Sequence, residues 1–414
     1  MAPQTLQVLQ PQYVNEFSCC GSACEDTCCS NWRIAVDKKT YQLYQKCPDV
    51  TVRSKLKTHV KRTRMYGNDI NYARIELTSK YSCPFLDEEL LCSLQRKFGE
   101  KYLSVVCSAY PRVTNNVDSV IERSLNLSCP EAARAALLKP QIMEFDLMEE
   151  KQDIRRAPGL VIHTKQKNKI NQFFWEIRTF IISLLQNRQY PLWQRLVILG
   201  LACSRISELQ SAGNLHEIPE TIEIYKSRIS NGDYSQHLNV IQNNFVIQIE
   251  LINILMNPQT FLEGTHQRFL RFQECFQEYY QGIVIDYQAN EEEIIKRYSN
   301  AFANYYQPLM EQYEHILEHY LVNYVFRTLF PFGDGKSVFE HYVMMIIDLS
   351  LLKTLLIGMS SFHREQFSVE HVIKAIQTFS KVVEHNDTYL VDALDFIVEN
   401  NMASMPYMAA LIKN

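Results

Sequence analysis

Glycine is scarce in this sequence, with 12 among 414 residues. A dinucleotide-binding Rossmann fold needs a glycine-rich turn between a strand and a helix, where the backbone approaches the pyrophosphate. The G-x-G at Gly333-Asp334-Gly335 follows Pro331 and lacks a strand–helix–strand context. The low glycine content and the long stretches with a 3.6-residue apolar period therefore indicate a mainly helical protein without a Rossmann fold.

Signals for secretion and membrane insertion are also missing. Residues 1–16 have no charged segment, no apolar run and no small-residue cleavage site, so they do not form a secretory leader. The longest apolar segment, Tyr342 to Met359, is interrupted by Asp348 and Lys353 and is shorter than a comfortable bilayer span. A formal net charge of -4 gives no electrostatic reason to expect nucleic acid or a membrane as partner. We therefore expect a cytoplasmic protein.

Cysteine is nearly absent from the chain beyond Cys129, where it occurs only at Cys203 and Cys275. The other ten cysteines lie between positions 19 and 129, and five of them fall between positions 19 and 29. Disulfides rarely persist in the cytosol, where a dense set of cysteines is more often metal-binding or catalytic. The N-terminal part is therefore predicted to bind metal through its thiolates.

Two short motifs predict helix starts beside cysteines. In Ser22-Ala-Cys24-Glu25, Ser22 reads as an N-cap and the glutamate as its capping-box partner. The resulting helix would place Cys24 and Cys28 one turn apart on one face, with backbone N–H groups that favour the thiolate. The run Ser128-Cys129-Pro130-Glu131 repeats the motif and predicts a second helix start.

The remaining candidate thiols lie on separate local elements. Short strands are predicted at 32–36 and 72–79, and a turn-forming loop carries a cysteine at each end, Cys83 and Cys92. Cys107 points inward from a short helix that Pro111 stops. The candidate ligands are Cys19, Cys24, Cys28, Cys29, Cys83, Cys92 and Cys107, with Cys129 as an eighth. Cys20 and Cys47 are interpreted as unliganded.

The spacing of these cysteines excludes some metal sites and leaves others open. A zinc ribbon would show two C-x2-C knuckles, which are missing. The C-x3-C-x2-C pattern of radical enzymes fails because residue 31 is an asparagine. An iron–sulfur cluster held by four thiolates from separated loops fits, because clusters tolerate varied spacing. Eight candidates exceed four, so either two metal centres form or some thiols only pack in the core.

The later part of the chain is predicted to be a bundle of amphipathic helices. Residues 141–159 are charged, with Pro140 and Pro158 at the two ends of the stretch, which predicts a linker. Residues 170–186 and 191–209 read as an αα-hairpin, and similar segments follow to about residue 400. The expected organisation is a cysteine-rich metal-binding domain at 1–140, the linker at 141–159 and a helical domain at 160–414.

One motif in the helical part has a competing interpretation. His315-Ile-Leu-Glu318-His319 matches the H-x-x-E-H pattern of inverted zinc proteases, with its two histidines one turn apart. Five-residue patterns recur by chance, and further features of that enzyme class are not evident. The glutamates Glu311, Glu314 and Glu318 favour a solvated helix face instead.

The N-terminal motifs resemble those of the flagellin lysine-N-methylase family of bacteria. The matching stretches are Phe17-x-Cys19-x-Gly21-x-x-Cys24-Glu25-Asp26-Thr27-Cys28-Cys29-x-x-Trp32-x-Ile34, Cys83-Pro84-Phe85-Leu86 with Cys92, Cys107-x-x-Tyr110-Pro111-Arg112 and Leu127 to Ala133. A looser likeness continues through residues 184–196. The resemblance implies S-adenosylmethionine-dependent methylation of surface lysines on flagellin by a protein that carries a [4Fe-4S] cluster.

The resemblance also implies roles for individual residues. The implied cluster ligands are Cys19, Cys24, Cys28, Cys29, Cys83, Cys92 and Cys107. Methyl transfer needs a neutral lysine amine, a sulfonium carbon in line with it and a path for the departing proton. Asp26, Tyr110 and Glu25 are the candidate catalytic residues near the cysteines, and Arg112 is the candidate anchor for a carboxylate.

The expected fold class is mainly α, with a small α+β cysteine-rich domain followed by a larger helical domain that holds the protein substrate. Because a Rossmann methyltransferase fold is not expected, we hypothesise that S-adenosylmethionine binds on or near a cluster iron. A stripe of tyrosines between residues 298 and 320 either lines a lysine channel or packs in the core. The alternative function is a non-enzymatic iron- or zinc-binding module whose helical domain recruits a partner.

Overall fold

The computed structural model describes residues 5–65, 67–151, 159–166, 169–255, 269–284, 290–333, 336–384 and 389–413. Helix accounts for 61% of the structure and strand for 11%. The prediction of a mainly helical protein is therefore confirmed, and the N-terminal part contains a small mixed sheet. Two residues of the G-x-G at 333–335 lie outside the described residues.

The strands of the described residues form two sheets. Their bounds are β1 Thr5–Pro11, β2 Ala35–Val36, β3 Val60–Arg62, β4 Ala73–Ile75, β5 Arg112–Val117, β6 Val120–Leu125, β7 Phe145–Lys151 and β8 Val161–Ile162. The five-stranded sheet has the order β7-β1-β6-β5-β8, in which β1 runs parallel to β6 and β5 parallel to β8. The smaller antiparallel sheet has the order β2-β4-β3.

The segment expected to be a linker contains a sheet strand. Strand β7 pairs antiparallel with β1 along its whole length, from Thr5 opposite Lys151 to Pro11 opposite Phe145. On sequence grounds, the charged residues of this stretch favour a linker. Strand β7 lies at the edge of its sheet, however, and charged side chains are common on edge strands. Residues 152–158 of the expected linker lie outside the described residues.

The helices before residue 140 are short, and those after residue 170 are mostly long. The short ones are α1 Tyr13–Glu16, α2 Lys38–Gln45, α3 Val50–His59, α4 Ser93–Phe98, α5 Val105–Ala109 and α6 Pro130–Leu137. The helical body contains α7 Phe174–Leu185, α8 Leu192–Ala212, α9 Ile218–Ser230, α10 Asp233–Leu238, α11 Phe245–Leu255, α12 Leu270–Ile283, α13 Glu291–Ala301, α14 Gln307–Gln312, α15 Glu314–Thr328, α16 Val338–His363, α17 Val369–Phe379, α18 Tyr389–Glu399 and α19 Met405–Ile412. Two π-helical turns, Phe302–Tyr306 and Ser380–Glu384, interrupt this body.

Helix α16 is the centre of the helical body. Its apolar residues are buried on every side of the helix, and α8, α12, α13 and α18 pack around it. At the crossing with α12, a Cβ on Gly358 would lie 2.3 Å from the Tyr279 ring, so only glycine fits there. Within the described residues, the helical segment Val338–Gln366 is long and apolar enough to cross a membrane, but 94% of its most apolar window is buried inside the protein.

The hydrophobic cores do not divide the chain at residue 140. The main core combines the helical body with residues from the segment 1–140, among them Tyr13, Leu125 and Leu137. A second, smaller core contains residues between positions 34 and 102, including Tyr44 and Phe85. The segment 1–140 therefore contributes to two cores, and the five-stranded sheet packs on the helical body.

Candidate functional site

Five thiols from three segments lie near one another beside the second core, and we call them the first thiol group (Cys28, Cys29, Cys83, Cys92 and Cys107). Backbone pairing holds the first two segments together, because the Cys83 N–H donates to the Cys29 carbonyl oxygen at 2.7 Å. A β-bridge between Ser30 and Ser82 extends this pairing. The predicted cysteine-ended loop is also present, closed by a bridge between Leu86 and Cys92.

The third segment brings Cys107 to the same place. Ser104 caps helix α5 by accepting the Cys107 N–H at 3.2 Å, which fixes the first turn of that helix. The sulfur lies close enough to those of Cys28, Cys83 and Cys92 for their charges to affect its ionisation. Sequence periodicity predicted this short helix correctly, although all of its residues, Cys107 included, are only half-buried.

Ionisation differs strongly within the first thiol group. A hydrogen bond from Cys29 lowers the pKa of Cys28 to about 7, and the same contact raises the pKa of Cys29 far above its ordinary value. Burial raises the pKa of Cys83 to about 11 and that of Cys107 to about 12. Close packing of buried thiols opposes their simultaneous ionisation, because each thiolate repels the next. A bound metal cation would instead favour the ionised thiolates.

Four other thiols form a second thiol group (Cys19, Cys20, Cys24 and Cys129). The Cys24 sulfur lies beside those of Cys20 and Cys129, and burial raises the pKa of Cys24 to about 12. Cys129 in turn lies near Cys19 and near Cys28 of the first group. Of the two cysteines interpreted as unliganded, Cys20 lies beside Cys24 and Cys47 is buried in the second core.

The capping box predicted at Ser22 does not form. Residues 21–23 make a single 3-10 turn, and the chain is extended at Cys24, so Cys24 and Cys28 are not neighbours on a helix. Glu25 binds elsewhere, with an oxygen 2.6 Å from the Arg134 guanidinium and 3.5 Å from that of Arg271. These two arginines come from α6 and α12, so long-range ion pairs replace the local cap.

The second predicted box is partly right. Helix α6 begins with Pro130 in its first turn, but the N-cap residue is Cys129 and not Ser128. Ser128 instead lies 3.0 Å from the Tyr110 hydroxyl. Burial raises the pKa of Cys129 to about 11, although the N–H groups of Glu131 and Ala132 oppose this effect. Cys129 therefore lies at the start of a helix, as predicted, but the helix begins one residue later than a capping box at Ser128 would require.

Asp26 joins the thiol-bearing loop to the helical body. Its Oδ1 lies 2.6 Å from the Lys381 ammonium, and its Oδ2 accepts a hydrogen bond from the Gln377 amide at 2.8 Å. Gln377 also donates to the Ser128 carbonyl oxygen at 2.8 Å. Both oxygens of this candidate catalytic residue are therefore engaged. No sequence pattern pointed to Lys381 or Gln377, which lie near the opposite end of the chain from Asp26.

Tyr110 and Arg112 lie at the edge of the same region. The Tyr110 ring is 5.8 Å from that of Trp32, and burial raises the pKa of Tyr110 well above its ordinary value. Its hydroxyl therefore stays protonated and can donate a hydrogen bond. The Arg112 guanidinium lies over the Phe17 ring at 5.3 Å, at the start of strand β5.

The chemistry of the donor set distinguishes between a single metal ion and a cluster. Among the described residues, no three Cys, His, Asp or Glu side chains are placed to hold one metal ion. A [4Fe-4S] cluster makes a different demand, because each of four thiolates binds its own iron. All twelve cysteines are free thiols, and nine of them belong to the two groups. In donor type and number, the residues fit a cluster.

The H-x-x-E-H motif has a structural role. Both Glu318 oxygens accept hydrogen bonds from arginines, at 2.8 Å from Arg188 and 2.6 Å from Arg195. The Nδ1 of His319 lies 3.1 Å from the Ala136 carbonyl oxygen. Glu318 is fully buried, so the expected solvated helix face was wrong at this residue. The motif anchors α15 to α6 and to the α7–α8 hairpin.

Comparison with known proteins finds a match over most of the helical body. Residues 178–411 match the family model described as the FliB lysine N-methylase C-terminal domain. The chain is 37% identical over 139 residues to the lysine-N-methylase of Salmonella typhimurium and, over the same length, to that of Salmonella choleraesuis. These alignments cover 33% of this chain and 34% of each relative, so they span about a third of the relatives' length.

A third relative is covered over most of its length. The flagellar biosynthetic protein FliU of Salmonella muenchen is 37% identical over 139 residues, which make up 81% of that protein. No solved structure matches the chain.

Proposed function

The chain belongs to the FliB lysine N-methylase family, and from that membership we propose that it transfers methyl groups from S-adenosylmethionine to surface lysines of flagellin. The family match supports methyl transfer to lysine, and the similarity to a flagellar biosynthetic protein, FliU, supports a flagellar substrate. The observation that supports the location of the chemistry is the gathering of nine free thiols where the N-terminal segments meet the helical body.

We propose that the first thiol group holds a [4Fe-4S] cluster through Cys28, Cys83, Cys92 and Cys107. The Cys28 sulfur interacts with each of the other three, and Cys29 lies beside it. This leaves Cys19, Cys24 and Cys29 of the expected ligands. Cys29 stays in the first thiol group without a ligand role, and Cys19 and Cys24, together with Cys20 and Cys129, would hold a second metal centre. When bound, the cluster would supply iron that coordinates and activates the methyl donor.

The residues around the thiols have proposed supporting roles. The Asp26 carboxylate, held by Lys381 and Gln377, positions the loop that carries Cys24 and Cys28. The Tyr110 hydroxyl donates a hydrogen bond to the cofactor or substrate, since its raised pKa keeps the proton in place. Arg112 binds the cofactor carboxylate through its guanidinium.

The proposed reaction balances without a further co-reactant. The lysine amine must be neutral, so its proton leaves before the methyl group arrives. The bond between the sulfonium sulfur and the methyl carbon breaks as the bond between that carbon and the lysine nitrogen forms. The electron pair of the broken bond stays on sulfur, which gives S-adenosylhomocysteine, and a second proton leaves the methylated nitrogen if the product becomes neutral.

We further propose that S-adenosylmethionine binds on or near a cluster iron, because the thiols are gathered in one region and the sequence lacks the glycine-rich turn of a Rossmann site. Calorimetric titration of the cofactor into cluster-loaded and cluster-free protein tests this point. Tight binding to the loaded protein alone supports it, and equal affinity in both contradicts it. Cys47→Ala protein, which keeps both thiol groups, should bind as the wild type does.

The function itself is tested by anaerobic incubation of the purified, iron- and sulfide-reconstituted protein with flagellin and methyl-labelled S-adenosylmethionine. Label on flagellin lysines, found by peptide mass spectrometry, supports the proposal. If reconstituted protein binds flagellin but transfers no label, the alternative of a non-enzymatic metal-binding module that recruits a partner is correct.

A further inference from the structure

A cavity of about 280 Å³ lies within the helical body, between the start of α8 and the end of α19. Three aromatic residues line it, namely Trp193, Phe302 and Tyr306. The rings of Phe302 and Tyr306 stack with centroids 5.9 Å apart. None of the nine thiols lines this cavity, so the proposed metal site does not use it.

A lysine of the chain itself already lies against the aromatic wall. The Nζ atom of Lys413 is 3.6 Å from the centroid of the Trp193 ring. An ammonium at this distance from an indole face is attracted by the negative face of the ring, and tryptophan is the strongest partner for this interaction. The contact identifies the kind of group that the wall attracts, which is an alkylammonium.

Two glutamates contribute negative charge at the same cavity. The Glu314 carboxylate accepts the Leu192 N–H at 2.9 Å and the Arg195 guanidinium at 2.6 Å, so its position is fixed but its charge is partly neutralised. Glu311 accepts a hydrogen bond at 2.7 Å from the Gln307 amide, a neutral donor that brings no compensating charge. The cavity therefore combines aromatic faces with two carboxylates, of which Glu314 is paired with Arg195.

The buried amine in the cavity wall opposes a cation only weakly. Lys353 donates a hydrogen bond to the Ile412 carbonyl oxygen at 3.1 Å. Burial lowers the pKa of Lys353 to about 7, so a large fraction of this amine is uncharged at neutral pH. An ordinary solvated lysine in the same place would repel a second ammonium.

We propose that this cavity binds the alkylammonium side chain of a lysine on a protein partner, and that Lys413 is an internal competitor for the same aromatic wall. The inference rests on the proposed function for the choice of lysine, because the substrate of a lysine N-methylase carries this group. Methylated lysine suits such a wall as well, since aromatic surroundings are typical of methyl-lysine sites. Removal of Lys413 should then strengthen the binding of an external lysine.

Fluorine NMR of the full chain, labelled with fluorotryptophan, tests the proposal at Trp193. A Trp193→Phe variant identifies the resonance among those of the three tryptophans. The probes are Nα-acetyl-lysine methylamide, its Nε-trimethyl form and the neutral Nα-acetyl-norleucine methylamide. The two cationic probes should shift the Trp193 resonance in a saturable way, and the neutral probe should not.

The matched variants are Lys413→Met and Lys226→Met, of which the second changes an exposed lysine on α9 that pairs with Glu223. Lys413→Met should move the Trp193 resonance without ligand and tighten binding of the cationic probes about fivefold, because the internal cation no longer occupies the indole face. Lys226→Met should change neither.

Equal responses to norleucine and lysine, or no response to any probe, would overturn the proposal. A saturable shift with S-adenosylmethionine that displaces the lysine probe would also overturn it, because the cavity would then be the methyl-donor site. The readout involves neither iron nor methyl transfer. An inactive enzyme therefore leaves the lysine site standing, and an empty cavity leaves the proposed function standing.

Discussion

The ion pair between Asp26 and Lys381 is largely shielded from solvent, with side-chain exposures of 13% and 10%. Removing one partner leaves the other charge with little water and no counter-ion, which typically costs about 3 to 5 kcal/mol. Lys381→Met should therefore lower the free energy of unfolding by about 3 kcal/mol in urea titrations, and Lys381→Arg should lower it much less. The matched control is Lys38→Met, which breaks an exposed pair with Asp69 and should cost less than about 1 kcal/mol. Equal losses for Lys381→Met and Lys38→Met would contradict a stabilising role for the pair at this junction.

The buried amine of Lys353 predicts a pH dependence of stability. Its folded-state pKa is lowered to about 7 by burial, whereas a lysine in the unfolded chain titrates near about 10.4. Between these values the unfolded state binds more protons, so this residue makes stability rise as pH increases. The wild type should gain about 2 kcal/mol from pH 7 to pH 9 relative to Lys353→Met. Denaturant titrations at both pH values measure this difference, and parallel curves for the two proteins would show that the amine is charged in the folded state.

At the scale of the elements, the thiol-bearing segments allow a test of which cysteines bind the cluster. Cys83→Ala removes a proposed cluster ligand, whereas Cys47→Ala removes a buried thiol of the second core that belongs to neither thiol group. After anaerobic reconstitution, Cys83→Ala should retain less than about half of the wild-type iron and sulfide per chain, and Cys47→Ala should retain nearly all of it. Metal analysis and absorption spectra give both values. Equal iron in the two variants would remove Cys83 from the ligand set.

The elements also show which parts of the structure could be predicted from the sequence. The helical hairpin of α7 and α8 and the short helix that carries Cys107 follow from apolar periodicity, because that signal is local and repeats over several residues. The capping box at Ser22 failed because distant arginines bind Glu25 instead. Strand β7 was missed because its partner β1 lies at the other end of the N-terminal part, far away in sequence.

The candidate site was predicted in composition but not in arrangement. Most of the thiols could be identified from the sequence. The structure separates them into two groups whose members could not be assigned from their distance along the chain, since Cys24 and Cys28 belong to different groups. Lys381 and Gln377 could not be found from the sequence, because their partner Asp26 is brought to them only by the fold. Contacts between such distant parts of the chain carry no local pattern.

In the molecule as a whole, the sheet and the helical body share one core. Tyr13 hydrogen-bonds to Asn323, the Asn115 amide donates to the Arg327 carbonyl oxygen at 2.8 Å, and Leu125 belongs to the main core. A fragment of residues 160–414 would expose the apolar surface that these residues cover. We expect this fragment to lose cooperative thermal unfolding and to bind a hydrophobic dye, whereas the full chain should do neither. A sharp unfolding transition in the fragment would show that the expected boundary near residue 160 separates independent domains.

We propose that the methylation of lysine requires a cluster held by the N-terminal thiols. This dependence of methyl transfer on cluster content can be measured. Methyl groups transferred to flagellin per chain are plotted against iron and sulfide per chain, in one series of partially reconstituted preparations. Transfer should rise in proportion to cluster content and be zero in protein without iron. Full transfer by the iron-free chain would show that the cluster is not required.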